Sequence, residues 1–167
     1  MLSMIFLNHG SLEAVITGVI FMSFLGAVAE SQSVAIDETK AISIAVAINL
    51  SALLIYGITA AVIVAFATAL FSVMDYGRGH REHLFNTPLY KSLFNSSNYI
   101  LSIAAAGSVY QALGGIYLYD IETKGLSHIL VLIGQHSFAI IVALITYVLV
   151  NTLVLAFYFV FEGKDEK

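Results

Sequence analysis

The sequence predicts an all-α protein, a polytopic transmembrane helical bundle of about five spans forming one domain over residues 1–167. Three observations carry this. Hydrophobic residues make up 59% of the chain and charged residues only 11%, against about 25% charged in a soluble domain. The mean hydropathy is +0.91. The charges cluster in short segments between uncharged runs, and those runs reach the roughly 20 residues that a helix needs to cross a bilayer core. Strands would alternate with period two, and an outer-membrane barrel would do so in segments of about ten residues. These runs do not alternate.

The elements follow in order. Residues 1–11, MLSMIFLNHGS, lack the basic start of a signal sequence. Leu12–Ala29, apolar apart from Glu13, is the first span, with Glu13 at headgroup level. Glu30–Lys40 is read as an acidic loop. Ala41–Met74 holds 34 residues without a charge, too many for one ordinary span. It divides into two short spans at Tyr56-Gly57, or forms one long tilted helix. Asp75–Ser96 is the most polar loop, with Arg78, Arg81, Glu82, Lys91 and the only proline, Pro88. Ser97–Tyr119 is a span, and Asp120–Lys124 a short loop. Gly125–Phe161 carries no charge over 37 residues. One helix of that length would extend about 55 Å, so residues 126–136 are expected to form an interfacial or half-inserted segment before the last span. A charged tail, Glu162–Lys167, closes the sequence.

Lysine and arginine accumulate on the cytoplasmic side of membrane proteins. With Ala41–Met74 as two spans and Gly125–Phe161 as one, Lys40, Arg78, Arg81, Lys91, Lys164 and Lys167 share a side and only Lys124 faces the other. Dividing the last stretch as well gives four to three, and leaving both stretches whole gives five to two. The six-to-one arrangement is the expected one: N-terminus outside, tail in the cytoplasm.

The composition also excludes functions. There are no cysteines, hence no disulfide, no Cys-ligated zinc and no iron–sulfur cluster. The sequence pI is about 5.6 and no Lys/Arg stripe is present, which argues against nucleic acid. No G-x-S-x-G, H-E-x-x-H, Walker or Gly-rich nucleotide motif occurs. No catalytic residue, metal or cofactor is therefore expected. His80 and His83 lie beside Arg78 and Arg81, a poor setting for a metal. His128 and His136 are eight residues apart, roughly 80° around a helix, and the central spans hold no facing histidine for a haem.

The polar side chains within the spans are the candidates for function. Amides in hydrocarbon must find partners; Asn49, Gln111, Gln135 and Asn151 are such amides. Asn95, Asn98, Gln111, Tyr147 and Asn151 are expected to organise the centre of the bundle, as glue between helices or as the lining of a small-molecule pocket. Asn95 and Asn98 open their span, where the first helical N–H groups lack partners, and Asn95 fits an N-cap. Asn151 stands about 15 Å from the charged end of its helix. Ala61, Ala65 and Ala69 repeat every four residues, as do Ala41 and Ala45, and Ser102 and Ala106. Such faces let membrane helices approach closely.

The run Leu89-Tyr90-Lys91-Ser92-Leu93-Phe94-Asn95-Ser96-Ser97-Asn98-Tyr99-Ile100-Leu101, continuing to Val109-Tyr110-Gln111-Ala112-Leu113-Gly114-Gly115, resembles the core of a bacterial membrane-associated sensor (MASE-type) domain. In that family an amphipathic linker ends in a Phe-Asn pair, and the next span ends in a Tyr, a polar residue and a Gly pair. Tyr147-Val148-Leu149-Val150-Asn151-Thr152-Leu153-Val154, followed by Glu162-Gly163, resembles the family's later span. The resemblance covers roughly residues 45–163. It implies a membrane-embedded input module that senses something in or across the membrane and biases a cytoplasmic cyclic di-GMP output domain, of the HD-GYP or GGDEF kind. Its shape is similar to the binding subunits of energy-coupling-factor vitamin transporters. The chain departs from the family in having no His-Asp dipeptide, no Gly-Tyr-Pro and no GGDEF motif, and in stopping where the family adds another helix. The resemblance thus implies no enzymatic activity in this chain. It implies an output domain beyond it or on a partner. The other classes are a vitamin-like small-molecule binding subunit of a transporter and a structural subunit of a membrane complex. The lipid bilayer is the expected surround, a small-molecule ligand and a homodimer remain open, and no nucleic-acid partner is expected.

Overall fold

The computed structural model describes residues 9–32, 34–37, 40–42, 44–75, 81–120 and 125–162. Arg78, His80, Lys124, Lys164 and Lys167 lie outside the described residues. Helices α1 (His9–Ser31), α2 (Ala45–Tyr56), α3 (Ile58–Phe71), α4 (Leu89–Ala112), α5 (Leu126–Gln135) and α6 (Ser137–Glu162) make up the all-helical body. A single 3-10 turn covers Leu118–Asp120. Two small antiparallel ladders join helices: β1 (Val34–Asp37) pairs with β2 (Lys40–Ile42), and β3 (Met74–Asp75) with β4 (Arg81–Glu82). Both lie mainly in segments read as loops and take Ala41, Ile42 and Met74 from the ends of the stretch read as spans; antiparallel strands need only a short connection.

Side-chain contacts fix the helix directions. Gly18 of α1 meets Tyr56, Gly26 meets Thr68, and the Val73 N–H donates to Ser31 Oγ at 2.8 Å. Helices α1 and α3 therefore run parallel. Asn49 of α2 meets Thr68 of α3, so α2 runs against both. Tyr99 of α4 reaches Glu30, and Gly107 lies on Leu53 and Ile58, which sends α4 back toward the α2–α3 turn. The rings of Phe94 and Tyr158 are 4.5 Å apart, and α6 packs antiparallel along α4. The bundle has a ladder end, where Ser31, Ala45, Phe71, Leu89 and Glu162 lie. It has a turn end at Gly57, Gly115 and His136.

The chain breaks where its backbone requires it. Gly57 takes φ 86° and ψ −178°, a conformation open to glycine and costly for other residues. It ends α2 and starts α3, so the uncharged stretch holds a hairpin of two short helices, Ala45–Tyr56 and Ile58–Phe71, and not one tilted helix. At 1.5 Å per residue the two are about 18 and 21 Å long. Helix α4 differs from the expected span at both ends. It starts at Leu89 behind Pro88, because proline's fixed φ and missing N–H suit a helix start. It stops at Ala112, short of Tyr119. There Gly114, at φ 77°, closes a cap in which the Gly115 N–H bonds to the Tyr110 carbonyl at 2.9 Å and the Gly114 N–H to that of Gln111 at 3.0 Å. This is the Schellman pattern. Glu30 lies in α1 and not in a loop, since no proline interrupts the run before it and Gly26 is held within the helix against Thr68. Residues 126–135 form their own helix, and α6 begins after His136, as the length of the uncharged stretch demands.

Two helical segments, Leu12–Ser31 and Ser137–Phe161, are long and apolar enough to cross a membrane. The outer faces of α1, α5 and α6 are apolar: Phe24 is 70% exposed, Leu126 72% and Phe157 63%. The core joins Leu53 of α2, Ala61, Val64 and Ala65 of α3, Ile103, Ala106 and Tyr110 of α4, and Ala143 and Tyr147 of α6. Ala61 and Ala65 are fully buried against the chain's own helices, which uses the small-residue face of α3 within the bundle. A Cβ at Gly107 would press on Ile58 Cγ1 and Leu53 Cδ1, at 2.6 and 2.9 Å. Overpacking of this kind costs about 1–3 kcal/mol. Gly107→Val is therefore expected to lower the thermal unfolding midpoint of the purified chain, whereas the same change at Gly134, which meets no atom within 4 Å, is expected to leave it nearly unchanged. Equal midpoints for the two variants would contradict the packing of α4 on the α2–α3 turn.

Candidate functional site

An apolar exterior leaves the polar side chains to meet inside, and here they gather toward the ladder end. Glu30, Asn49, Thr68, Ser96, Asn98 and Ser102 are all buried. Asn49 sits one turn into α2. It accepts a hydrogen bond from Thr68 Oγ1 of α3 at 3.3 Å and donates from Nδ2 to the Tyr147 hydroxyl of α6 at 3.5 Å. Both bonds are long, at the outer limit of useful geometry. Tyr99 of α4 donates its hydroxyl to Glu30 Oε1 of α1 at 2.8 Å, an ordinary O–H···O distance. Glu30 lies one turn beyond Gly26, which packs on Thr68, so the two sets of contacts adjoin and together touch α1, α2, α3, α4 and α6.

The lower part of α4 adds serines on the same buried side. Ser102 Oγ donates to the Asn98 carbonyl at 2.7 Å and lies 3.5 Å from Asn98 Oδ1. Ser96 Oγ is buried with no hydrogen-bond partner among the described residues. A buried hydroxyl without a partner costs about 1–3 kcal/mol and so marks a place where packing overrides polarity. The cluster holds one carboxylate, two phenols, amides and hydroxyls. It has the groups to hold or exchange a proton or to exert polar traction between helices. Among the described residues no three His, Asp or Glu side chains come together around a metal position.

The expected site residues separate. Tyr147 and Asn98 are buried, Tyr147 in the Asn49 cluster and Asn98 beside Ser102. Asn95 and Gln111 are exposed. Asn95 lies within the second turn of α4, because that helix starts six residues earlier, and Pro88 holds its N-cap position. Gln111 lies in the last turn of α4 with its side chain outward. Asn151 is half-buried on α6 and makes no side-chain hydrogen bond to a described residue. Reasoning on amides alone missed Glu30, Thr68 and Tyr99. The signal for Glu30 is its spacing: Gly18, Met22, Gly26 and Glu30 recur every four residues, and two of them contact α3 or the α2–α3 turn. That face of α1 points inward, and Glu30 continues it.

Comparison of the chain with family models, with curated proteins and with solved structures finds no match. The site is therefore read from its own geometry. Hydrogen bonds between membrane helices average about 0.6 kcal/mol, with a maximum near 1.7. Asn49→Leu removes two such bonds and leaves Thr68 without its acceptor, so it is expected to cost about 1–2 kcal/mol of stability in detergent. Asn151→Leu, which breaks none, is expected to change stability by less than about 0.5 kcal/mol. The reverse order would show that Asn49 does not tie the bundle.

Proposed function

We propose that this chain is a membrane-embedded sensory input module with five spans, without catalytic activity of its own. It acts on a cytoplasmic cyclic di-GMP output domain, in the same protein or on a partner. The observation that carries the reading is the Asn49–Tyr147 contact. It links the buried polar cluster to α6, the helix that leads the chain out of the bundle at Glu162. A change in protonation, hydration or packing at the cluster has a direct mechanical route along α6. Ionisable groups inside a membrane bundle mark function by default, and Glu30 is one. The MASE-type resemblance of residues 89–115 and 147–163 points the same way. The reading of the chain as a structural subunit loses its docking face, since Ala61 and Ala65 are covered by the chain's own helices.

The orientation follows from charge. Lys40, Arg81 and Lys91 belong to segments at the ladder end. The positive-inside rule puts that end in the cytoplasm of a bacterial inner membrane and the turn end outside. In this arrangement α2 and α3 are two short spans joined outside at Gly57. The absence of native cysteines makes the test clean. In intact cells, Tyr119→Cys is expected to react with an impermeant thiol reagent, and Phe85→Cys, at a position 92% exposed, is expected to react only after permeabilisation. Reaction of Phe85→Cys from outside would overturn the orientation. The input role has its own readout. In cells carrying the intact protein, Asn49→Leu is expected to shift the cyclic di-GMP level at unchanged membrane abundance, and an unshifted level counts against the role.

A further inference from the structure

At the turn end, opposite the polar cluster, lies a cavity of about 220 Å³. Its walls come from α2 (Ser51, Leu54), the end of α4 and the segment after it (Tyr110, Ile116), α5 (Ile133), the α5–α6 junction (His136) and α6 (Ile140) among others. An apolar cavity of about 150 Å³ already accommodates benzene, so this one has room for a substituted ring or a fused pair.

Its chemistry is narrow. Ser51 Oγ is committed to the Ala47 carbonyl at 2.7 Å, and the Tyr110 hydroxyl to the Ile116 carbonyl at 2.8 Å. Neither is left to donate to a guest. His136 is half-buried and its imidazole makes no hydrogen bond to a described residue. In its neutral form the ring carries one donor and one acceptor. No Asp, Glu, Lys or Arg lines the cavity. An ionic guest would lose its hydration without a counter-charge. The wall on the α5 side is itself unfinished. Helix α5 leans Leu132 and Ile133 over the cavity, yet none of its residues is buried. An apolar occupant would complete its packing.

We infer that this cavity is a binding site for an uncharged, lipid-soluble ring compound that presents one carbonyl or hydroxyl oxygen to His136. The guest reaches it from the apolar surround past α5. The binding claim stands apart from the sensory reading, since it is measured on purified protein and the cellular test can fail without touching it. Its consequence for signalling rests on that reading. The α2 wall lies next to Asn49, and the α6 wall lies two turns from Tyr147, so an occupant would bear on the contact between α2 and α6.

The probe is menadione, titrated calorimetrically into the intact chain in nanodiscs, with empty nanodiscs as the blank. Saturable one-site binding is expected. His136→Leu should weaken it about tenfold, the value of one lost hydrogen bond, and Leu54→Trp, which fills the cavity, should abolish it. Naphthalene, with the same rings and no oxygen, should bind wild type and His136→Leu alike. Ile133→Trp on the exposed side of α5 replaces Leu54→Trp if that variant does not fold. No saturable binding of menadione to wild type, or binding undiminished by the cavity-filling variant, overturns the site. Equal menadione affinity of wild type and His136→Leu overturns the role of the imidazole.

Discussion

Asn49 is where three helices are tied together. Its amide both accepts from a neighbouring helix, at Thr68, and donates to another, at Tyr147. In the proposed membrane setting, helices gain little from burying hydrophobic surface against one another. Close packing and interhelical hydrogen bonds must supply the specificity. The two bonds of Asn49 are long and individually weak. Their worth lies in register: they select one rotation of α2 against α3 and α6, because any other leaves an amide without partners in an apolar interior.

Close packing then does the rest, and it depends on small side chains. Gly18 and Gly26 bring α1 onto Tyr56 and Thr68. Ala61 and Ala65 on α3, and Ala106 and Gly107 on α4, occupy the interior at full burial or nearly so. These contacts carry the polar residues to within reach of one another. Thr68 touches Asn49 and also fills the space beside Gly26, so the polar cluster and the small-residue packing are one arrangement. The Tyr99–Glu30 bond closes the same arrangement between α1 and α4.

The two ends of the molecule are built differently, and this suits a device that passes a change along its axis. The ladder end is held by buried polar groups. The turn end is held by two glycine-dependent backbone features, Gly57 and the cap at Gly114, around an apolar cavity. Helices α2 and α6 run through both. In the proposed input role, these two helices are the route by which a disturbance at one end would reach the other.

Much was legible in the sequence because it rests on one-dimensional constraints. Composition and the spacing of charges set the helical, apolar character: long uncharged runs without period-two alternation leave the helix as the element that fits them. The break at Tyr56-Gly57 and the separation of residues 126–135 from α6 followed from length, glycine and the reach of a helix. The four-residue repeats Ala61-Ala65 and Ser102-Ala106 marked faces that turned inward, whereas Ala41 lies in β2 and forms no helix face with Ala45. The location of the polar centre was not legible in this way. Asn95, Gln111 and Asn151 have the same residue chemistry as Asn49 and Asn98, yet they face outward or stand without partners, while Glu30, a loop residue by its charge, is buried. Only the tertiary structure decides this. Whether an amide or a carboxylate is satisfied depends on which helix lies across from it. That in turn depends on helix rotation, which the packing of the whole bundle sets and which no local pattern records.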